Sequence, residues 1–167
     1  HFLARLAAPA TPRRAQALAL AEHFTAYFAI GQAHDSFYGN GGFALLKNPL
    51  YKGGILKADG SRLPARMEEI EEVLDASYQE PDGTLKPDKP NAYSWVKATL
   101  YSGEPMEVGP LARLAVNRDT EFTKLLQRFG VETTRSSVMT RILARAFEAD
   151  KICNCLQELL TRYQLAC

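Results

Sequence analysis

Residues 93–113, YSWVKATLYSGEPMEVGPLAR, decide the fold of this chain. The first part is rich in aromatic and β-branched residues and predicts an extended segment over 93–101. The Gly109-Pro110 step predicts the start of a helix over 110–117, because proline lacks an N–H that the first helical turn does not need. The stretch therefore predicts a strand, a turn and a helix in direct succession.

Charged residues lie on both sides of that helix start. Glu107 comes just before it, where the helix dipole and the free N–H groups of the first turn favour an anion. The residues alone leave its partner open between Arg113, in the same helix, and Arg145, far along the chain. Either pair would hold a turn and a capped helix together, and neither defines a reaction.

The remaining segments are mostly helical by pattern. Hydrophobic spacing and cap residues predict helices over 12–30, 65–77, 120–129 and 137–164. A glycine-rich insertion over 35–63 has no helical period and predicts short strands and turns. We therefore expect a mainly α fold with a small irregular β insertion.

The last predicted helix places a charge on its apolar side. At about 100° per residue, one stripe holds Val138, Ile142, Ala149, Ile152, Leu156, Leu160 and Tyr163. Arg145 falls inside that stripe and Arg141 falls on its edge. Because a buried guanidinium is costly unless it is paired and hydrogen-bonded, we expect Arg145 to meet a carboxylate or several carbonyls. A structural ion pair is favoured here over an arginine that faces a functional site.

The composition excludes several classes of function. The 167 residues are 46% hydrophobic and suit one domain or part of a larger one. A formal charge of +1 gives no reason to expect nucleic acid or a membrane surface as a partner. No apolar run reaches the roughly 18 residues of a membrane-spanning helix, so we expect no membrane insertion.

The three cysteines, Cys153, Cys155 and Cys167, do not follow a metal-binding pattern. An odd count without framework spacing argues against a disulfide-rich fold. Two helical residues that are two positions apart point about 200° apart, so Cys153 and Cys155 cannot easily hold one ion. We expect reduced thiols and no metal ligand among them.

Three stretches of this sequence resemble one enzyme family. The opening stretch contains YSWVKA and MEVGPLAR, residues 70–78 read IEEVLDASY, and residues 137–149 read SVMTRILARAFEA. In order and rough spacing these are similar to segments in the middle of the large subunit of nickel–iron hydrogenases. The resemblance runs from about Gly41 to Leu160. It implies that residues 1–167 are the central part of such a subunit's domain, an internal fragment or a divergent member.

The resemblance also implies an activity, cofactors and a partner. The family interconverts dihydrogen with protons and electrons at a nickel–iron centre, with magnesium nearby, and an iron–sulfur small subunit carries the electrons. Four cysteines hold the two metals, in R-x-C-G-x-C and D-P-C-x-x-C motifs, and soft thiolates suit such a centre. This chain contains neither motif. The resemblance therefore implies that the chain is inactive without the rest of the subunit. The small subunit would decide between a periplasmic, membrane-associated location and a cytoplasmic one.

Site residues are carried over from the family only where the motifs match. Glu72 and Lys97 correspond to residues that bind the metal site through water, outside the direct ligand set. No catalytic residue and no direct metal ligand is transferred to this chain. The remaining matches are expected to form a structural ion-pair network that consists of Glu107, Arg113, Arg141, Arg145 and Glu148.

The chain departs from the family pattern at several positions. Thr99 and Leu100 stand where the family has Pro-Arg, and Thr140 stands where it has Gly. The tryptophan of the family's S-W-Y is absent, because Ser77 is followed directly by Tyr78. These departures keep two alternatives open. One is a non-catalytic relative with the same fold, such as the quinone-site subunit of a respiratory complex; the other is a helical structural or binding module.

Overall fold

A computed structural model of the chain describes residues 12–34, 36–42, 49–131 and 135–164. The chain divides into two compact units. Unit 1 consists of His1–Ala65 and Glu107–Cys167, and unit 2 consists of Arg66–Met106. Along the chain, unit 2 is therefore an insertion within unit 1.

Unit 1 combines four α-helices with a small sheet in its described part. The helices are α1 (Pro12–His23), α2 (Pro110–Val116), α3 (Thr120–Gln127) and α4 (Val138–Gln164), and a 3-10 turn lies at Thr25–Phe28. The strands are β1 (Phe37–Gly39), β2 (Gly54–Leu56) and β3 (Arg62–Leu63), and they form an antiparallel sheet in that order. Part of the predicted insertion over 35–63 lies outside the described residues.

The hairpin between β2 and β3 follows the turn chemistry of its sequence. The Gly60 N–H donates to the carbonyl of Lys57, and the Ser61 N–H donates to the carboxylate of Asp59 at 2.8 Å. Gly60 has a φ of 82°, which glycine adopts without steric cost.

The sheet pairs Phe37 with Leu56. Both side chains are buried, so the sheet turns one face toward the core.

The core of unit 1 is built where α4 packs on α1 and α2, and α2 packs on β1. Leu111 and Leu114 of α2 and Phe147 of α4 are at most 2% exposed. Phe122 of α3 stacks on Phe147, with ring centroids 5.4 Å apart. Each buried aromatic or leucine side chain contributes about 1.5–3 kcal/mol through removal from water. The helices therefore hold the sheet and the chain segment around Glu107 in place.

Unit 2 is a two-stranded sheet with loops, and all of its residues are described. β4 (Ile70–Val73) pairs antiparallel with β5 (Ala98–Tyr101), with Ile70 opposite Tyr101. A 3-10 turn at Met67–Glu69 precedes β4. No α-helix occurs in this unit. The predicted mainly α class is therefore met only in part, because unit 2 is made of strands and loops.

The predicted helix over 65–77 is wrong. The segment contains the 3-10 turn and β4 instead, although Met67, Ile70 and Leu74 recur at helical spacing. Met67 is 75% exposed, so the apolar spacing does not mark a buried helix face. Pairing with β5, which is distant in sequence, supplies backbone hydrogen bonds to β4 and outweighs the helical spacing of the apolar residues.

Two further predicted elements are shorter in the structure. The α-helix predicted over 12–30 ends at His23, because Phe24 leaves the helical region with φ −116° and ψ 54°, and a 3-10 turn follows. In the extended segment predicted over 93–101, only Ala98–Tyr101 is a strand. The other three helices lie close to their predicted bounds: α2 for 110–117, α3 for 120–129 and α4 for 137–164.

The predicted apolar stripe of α4 is not its buried face. Met139, Leu143 and Phe147 are buried, whereas Val138 is 36% and Leu156 is 39% exposed. Apolar residues occupy more than one side of this helix, so spacing alone did not select the side that packs. Contacts with α1 and α2 select it. The side chain of Tyr163 lies outside the described residues.

No helix in the described part of the chain is both long and apolar enough to cross a membrane.

Gly39 is a test of the packing between β1 and α2. A methyl group at this position would lie 3.1 Å from the Cβ of Val116 and 3.2 Å from its Cγ2. We expect Gly39→Ala to lower the free energy of unfolding by about 1–3 kcal/mol, because overpacking forces the backbone or Val116 to shift. Urea unfolding of the purified protein that carries this chain measures the effect.

Gly42→Ala is the matched control. No atom lies within 4 Å of a methyl group at Gly42, so this variant should stay within about 0.5 kcal/mol of the parent. Equal losses for the two variants would contradict the packing described for Gly39.

Candidate functional site

A buried ion pair joins α2 to α4. The guanidinium of Arg113 donates from Nε to Oε1 and from Nη2 to Oε2 of Glu148, both at 2.6 Å. The Glu148 side chain is 5% exposed and that of Arg113 is 22% exposed. Arg113 also donates to the side chain of Asn40 at 3.1 Å. Two parallel charge-assisted hydrogen bonds fix both the distance and the rotation between the two helices.

Helix α2 sets the position of Arg113. Pro110 begins the helix, and Arg113 lies in its last turn, where a cation interacts favourably with the helix dipole. Hydrogen bonding to Glu148 raises the pKa of the Arg113 guanidinium, and partial burial opposes this effect. Arg113 therefore stays charged and compensates the buried carboxylate at every physiological pH.

A second ion pair joins α4 to the segment before α2. Arg141 donates from Nε and Nη2 to the two carboxylate oxygens of Glu107, at 2.8 and 2.7 Å. Its Nη1 donates to the carbonyl oxygen of Gly31 at 2.7 Å. The Glu107 side chain is 9% exposed. Hydrogen bonding to Glu107 raises the pKa of Arg141, so the Arg141 guanidinium also stays charged.

The backbone holds Glu107 in register with β1. The Glu107 N–H donates to the carbonyl of Ser36 at 2.8 Å, and the Tyr38 N–H donates to the carbonyl of Glu107 at 2.9 Å. These bonds form a parallel bridge that places Glu107 opposite Phe37. The carboxylate therefore reaches Arg141 from a fixed position.

The first turn of α4 is closed by its own side chains. The Ser137 N–H donates to Oγ1 of Thr140 at 2.7 Å, and the Thr140 N–H donates to Oγ of Ser137 at 3.2 Å. Both residues are buried. Thr140 stands where the resembled family has glycine, and its hydroxyl oxygen accepts one of the hydrogen bonds of this reciprocal cap.

The structure changes the predicted partners within the ion-pair set. Glu107 pairs with neither Arg113 nor Arg145, the two partners that the sequence left open, but with Arg141. Arg145 is exposed, and no ion pair of Arg145 occurs among the described residues. The expectation that Arg145 lies on the buried side of α4 is wrong, because the buried side of α4 is not the stripe that contains it.

Tyr51 is a member of this cluster that the sequence did not indicate. It is 2% exposed, and its hydroxyl completes no hydrogen bond with any described residue. Burial, followed by the charges of Glu148 and Asp119, raises the pKa of Tyr51. Tyr51 follows a loop in the glycine-rich segment and belongs to no periodic pattern, so no local signal marks it.

Unit 2 carries an exposed ion pair of different character. Lys97 Nζ lies 2.6 Å from Oε2 of Glu72, and the two side chains are 38% and 58% exposed. Glu72 lies on β4, and Lys97 immediately precedes β5, so the strand pairing brings the two residues together. Nearby, the Trp95 ring packs on the Tyr78 ring, with centroids 4.7 Å apart. The structure therefore brings together the two residues that the resemblance singled out.

Comparison with known proteins identifies the family. A family model described as nickel-dependent hydrogenase matches residues 14–165. The chain therefore belongs to the nickel-dependent hydrogenase family.

Two curated relatives share short, strongly similar segments. The periplasmic NiFeSe hydrogenase large subunit of Desulfomicrobium baculatum is 67% identical over 30 residues, which is 18% of this chain and 6% of that protein. The quinone-reactive Ni/Fe-hydrogenase large chain of Wolinella succinogenes is 48% identical over 40 residues, which is 22% of this chain and 7% of that protein. Both relatives are large subunits, in agreement with the resemblance.

Solved structures extend the similarity over most of the chain. The as-isolated oxidised Ni-Fe-Se hydrogenase of Desulfovibrio vulgaris Hildenborough superposes with a TM-score of 0.73 and 27% identity, over 87% of this chain and 36% of that one. The reduced, active hydrogenase of Desulfomicrobium baculatum gives a TM-score of 0.75 and 26% identity, over 89% and 36%. This chain thus spans little more than a third of each solved chain.

The described residues do not by themselves fit a nickel–iron centre. No three His, Cys, Asp or Glu side chains in the described ranges are placed to hold a metal ion. On α4, Cys155 is buried and Cys153 is half-buried, two positions apart on a helix. Cys167 lies outside the described residues. The charged side chains that the fold brings together here are those of the two buried ion pairs.

Replacing the cation of each ion pair should show that the buried pair contributes more to the free energy of unfolding than the exposed pair does. Arg113→Met leaves the carboxylate of Glu148 buried and uncompensated, and we expect a loss of about 3–5 kcal/mol in the free energy of unfolding. Lys97→Met is the matched change at the exposed pair and should cost at most about 1 kcal/mol. Urea unfolding of the protein that carries the chain measures both.

A double variant identifies the cause of the loss. Arg113→Met combined with Glu148→Leu removes the stranded charge and should restore most of the lost stability. A double variant as unstable as Arg113→Met alone would show that the pair matters through shape and not through charge.

Proposed function

We propose that this chain is the central part of the large, catalytic subunit of a nickel-dependent hydrogenase, which interconverts H₂ with protons and electrons when complete. The single observation that carries the proposal is the family match over residues 14–165. The superposition on hydrogenases over nearly nine-tenths of the chain supports it. The identities of 26–27% make this more than a likeness of fold.

The nickel–iron centre, when bound, supplies the splitting of H₂, and we propose that its ligands come from parts of the subunit outside this chain. The absence of the R-x-C-G-x-C and D-P-C-x-x-C motifs from the sequence supports this assignment. Within the chain, the Arg113–Glu148 and Arg141–Glu107 pairs lock α2, α4 and β1 together. Their proposed role is to keep the support of the site rigid while ligands are carried by other segments.

Glu72 and Lys97 are proposed to order water close to the metal-bearing part of the complete subunit. Their ion pair is exposed, so both groups are accessible to water and to other segments of the subunit. Lys97 binds Oε2 of Glu72, which leaves the other carboxylate oxygen to accept from water. Paired charges of this kind orient nearby water molecules, which would be the ligands of a magnesium ion bound there.

The remaining parts of the large subunit and an iron–sulfur small subunit are the proposed partners. Unit 2 exposes large apolar side chains: Tyr93 is 80%, Val96 is 73%, Met67 is 75% and Trp95 is 60% exposed. Exposed apolar surface of this extent is typical of a surface that another part of a protein covers. The chain's coverage of only 36% of the solved hydrogenase chains supports the same conclusion.

The reading frame around this chain tests the proposal directly. We expect an in-frame R-x-C-G-x-C motif upstream and an in-frame D-P-C-x-x-C motif downstream, since thiolates are the ligands that a nickel–iron centre requires. Sequencing of the complete gene provides the answer. A full-length frame without these cysteines would overturn the hydrogenase assignment.

The proposed role of Lys97 has its own test in the complete enzyme. Lys97→Met should lower the rate of H₂-dependent dye reduction about 10- to 100-fold, as is usual when a group that orients a metal site through water is lost. Lys86→Met removes another lysine of unit 2, which pairs with Glu80 at 3.6 Å, and should leave the rate unchanged. Equal rates for the Lys97→Met and parent enzymes would refute the role.

A further inference from the structure

Unit 1 carries a basic surface outside the ion-paired core. Its members, which we call the basic face, are Lys52, Arg62, Arg118 and Lys124, and all four are exposed. Two open clefts lie between them. One, of about 410 Å³, is lined by Lys52 and Arg62, and the other, of about 440 Å³, is lined by Arg118 and Lys124.

The two arginines of the basic face are uncompensated within the described residues. Arg113 and Arg141 each form a bidentate pair, but neither Arg62 nor Arg118 forms an ion pair with any described residue. Partial burial, followed by repulsion from the Arg118 charge, lowers the pKa of Arg62. The fold thus brings two guanidinium groups close enough to repel each other, and no acid of the described residues pairs with either of them.

Most acidic residues on the neighbouring segments form hydrogen bonds or ion pairs with groups outside the basic face. Asp59 accepts a hydrogen bond from the Ser61 N–H at the tip of the β2–β3 hairpin. Asp119 accepts from the Phe122 N–H and pairs with Lys151. Glu121, on the first turn of α3, is the remaining exposed acid of this region. The net charge of the basic face is therefore positive.

Arg118 is held in a costly backbone conformation. Its φ of 47° places it in the left-handed region just after α2, a position that favours glycine. Asn117 fixes this corner: its side chain accepts from the Lys52 N–H at 2.9 Å and donates to the carbonyls of Lys52 and Arg113. Glycine would adopt this conformation without strain, so Arg118→Gly tests the side chain without disturbing the backbone.

We propose that the basic face binds an acidic surface of a separate partner protein, reversibly. Permanent, obligate interfaces are more apolar than reversible ones, and all four members of the basic face are charged. The apolar side chains exposed by unit 2 suit such a permanent interface, whereas the basic face does not. An exposed cationic surface instead accelerates the encounter with an acidic partner and forms a salt-sensitive complex. The proposal is independent of the hydrogenase assignment.

The test uses the complete enzyme and fluorescently labelled poly-L-glutamate as the acidic probe. Fluorescence anisotropy should show binding that weakens as the salt concentration rises. The double change Arg62→Glu with Arg118→Glu should weaken binding by about tenfold or more. The control for net charge, Arg13→Glu with Lys86→Glu at exposed sites on α1 and in unit 2, changes the net charge by the same amount and should change binding by less than about twofold.

Arg118→Gly separates binding from folding. Glycine adopts the left-handed conformation freely, so the midpoint of thermal unfolding should not fall, while the affinity for the probe should. Three results would each overturn the proposal. They are no binding of the probe by the complete enzyme, equal affinities for the Arg62/Arg118 and Arg13/Lys86 variants, and displacement of the probe by millimolar inorganic phosphate at constant ionic strength.

Discussion

The fold of unit 1 depends on the burial of two carboxylates, Glu107 and Glu148. A carboxylate at 5–9% exposure is tolerated only if a cation and hydrogen bonds replace its water. Each carboxylate here meets one guanidinium along two parallel bonds. Arg113 thereby ties α2 to α4, and Arg141 ties α4 to the segment that leads into α2. The core between these elements packs around positions that the pairs have fixed.

The requirement that buried charges be paired distinguishes two kinds of charged group in this chain, the buried ion pairs and the exposed charges. The paired arginines are half-buried and directional, which suits a support that must keep other parts of a large enzyme in place. The exposed Glu72–Lys97 pair and the unpaired basic face remain available to water and to other molecules. We therefore assign the binding functions to the exposed Glu72–Lys97 pair and the basic face. We assign structural support to the buried ion pairs.

Local sequence signals located helices α2, α3 and α4. Long-range strand pairing explains why the predicted helix over 65–77 is absent. Pro110 marks the start of α2 from sequence alone, because its effect lies within one turn. The strand at Ile70–Val73 could not be predicted, since its partner lies some 30 residues further along the chain. The matching motifs named the four residues of the two buried ion pairs, but they also included the exposed Arg145 and did not indicate which residues pair. Tyr51 and Asn40 join the cluster through tertiary packing and carry no local pattern.

The nickel content of the protein tests the central claim most directly: this chain supports a hydrogenase site whose ligands lie elsewhere. The complete subunit and the 167-residue chain should be expressed in the same nickel-supplemented cells, purified alike and measured by mass spectrometry of the metal. We expect stoichiometric nickel in the complete subunit and none in the chain. Stoichiometric nickel bound to the chain alone, or a complete subunit without nickel, would contradict it.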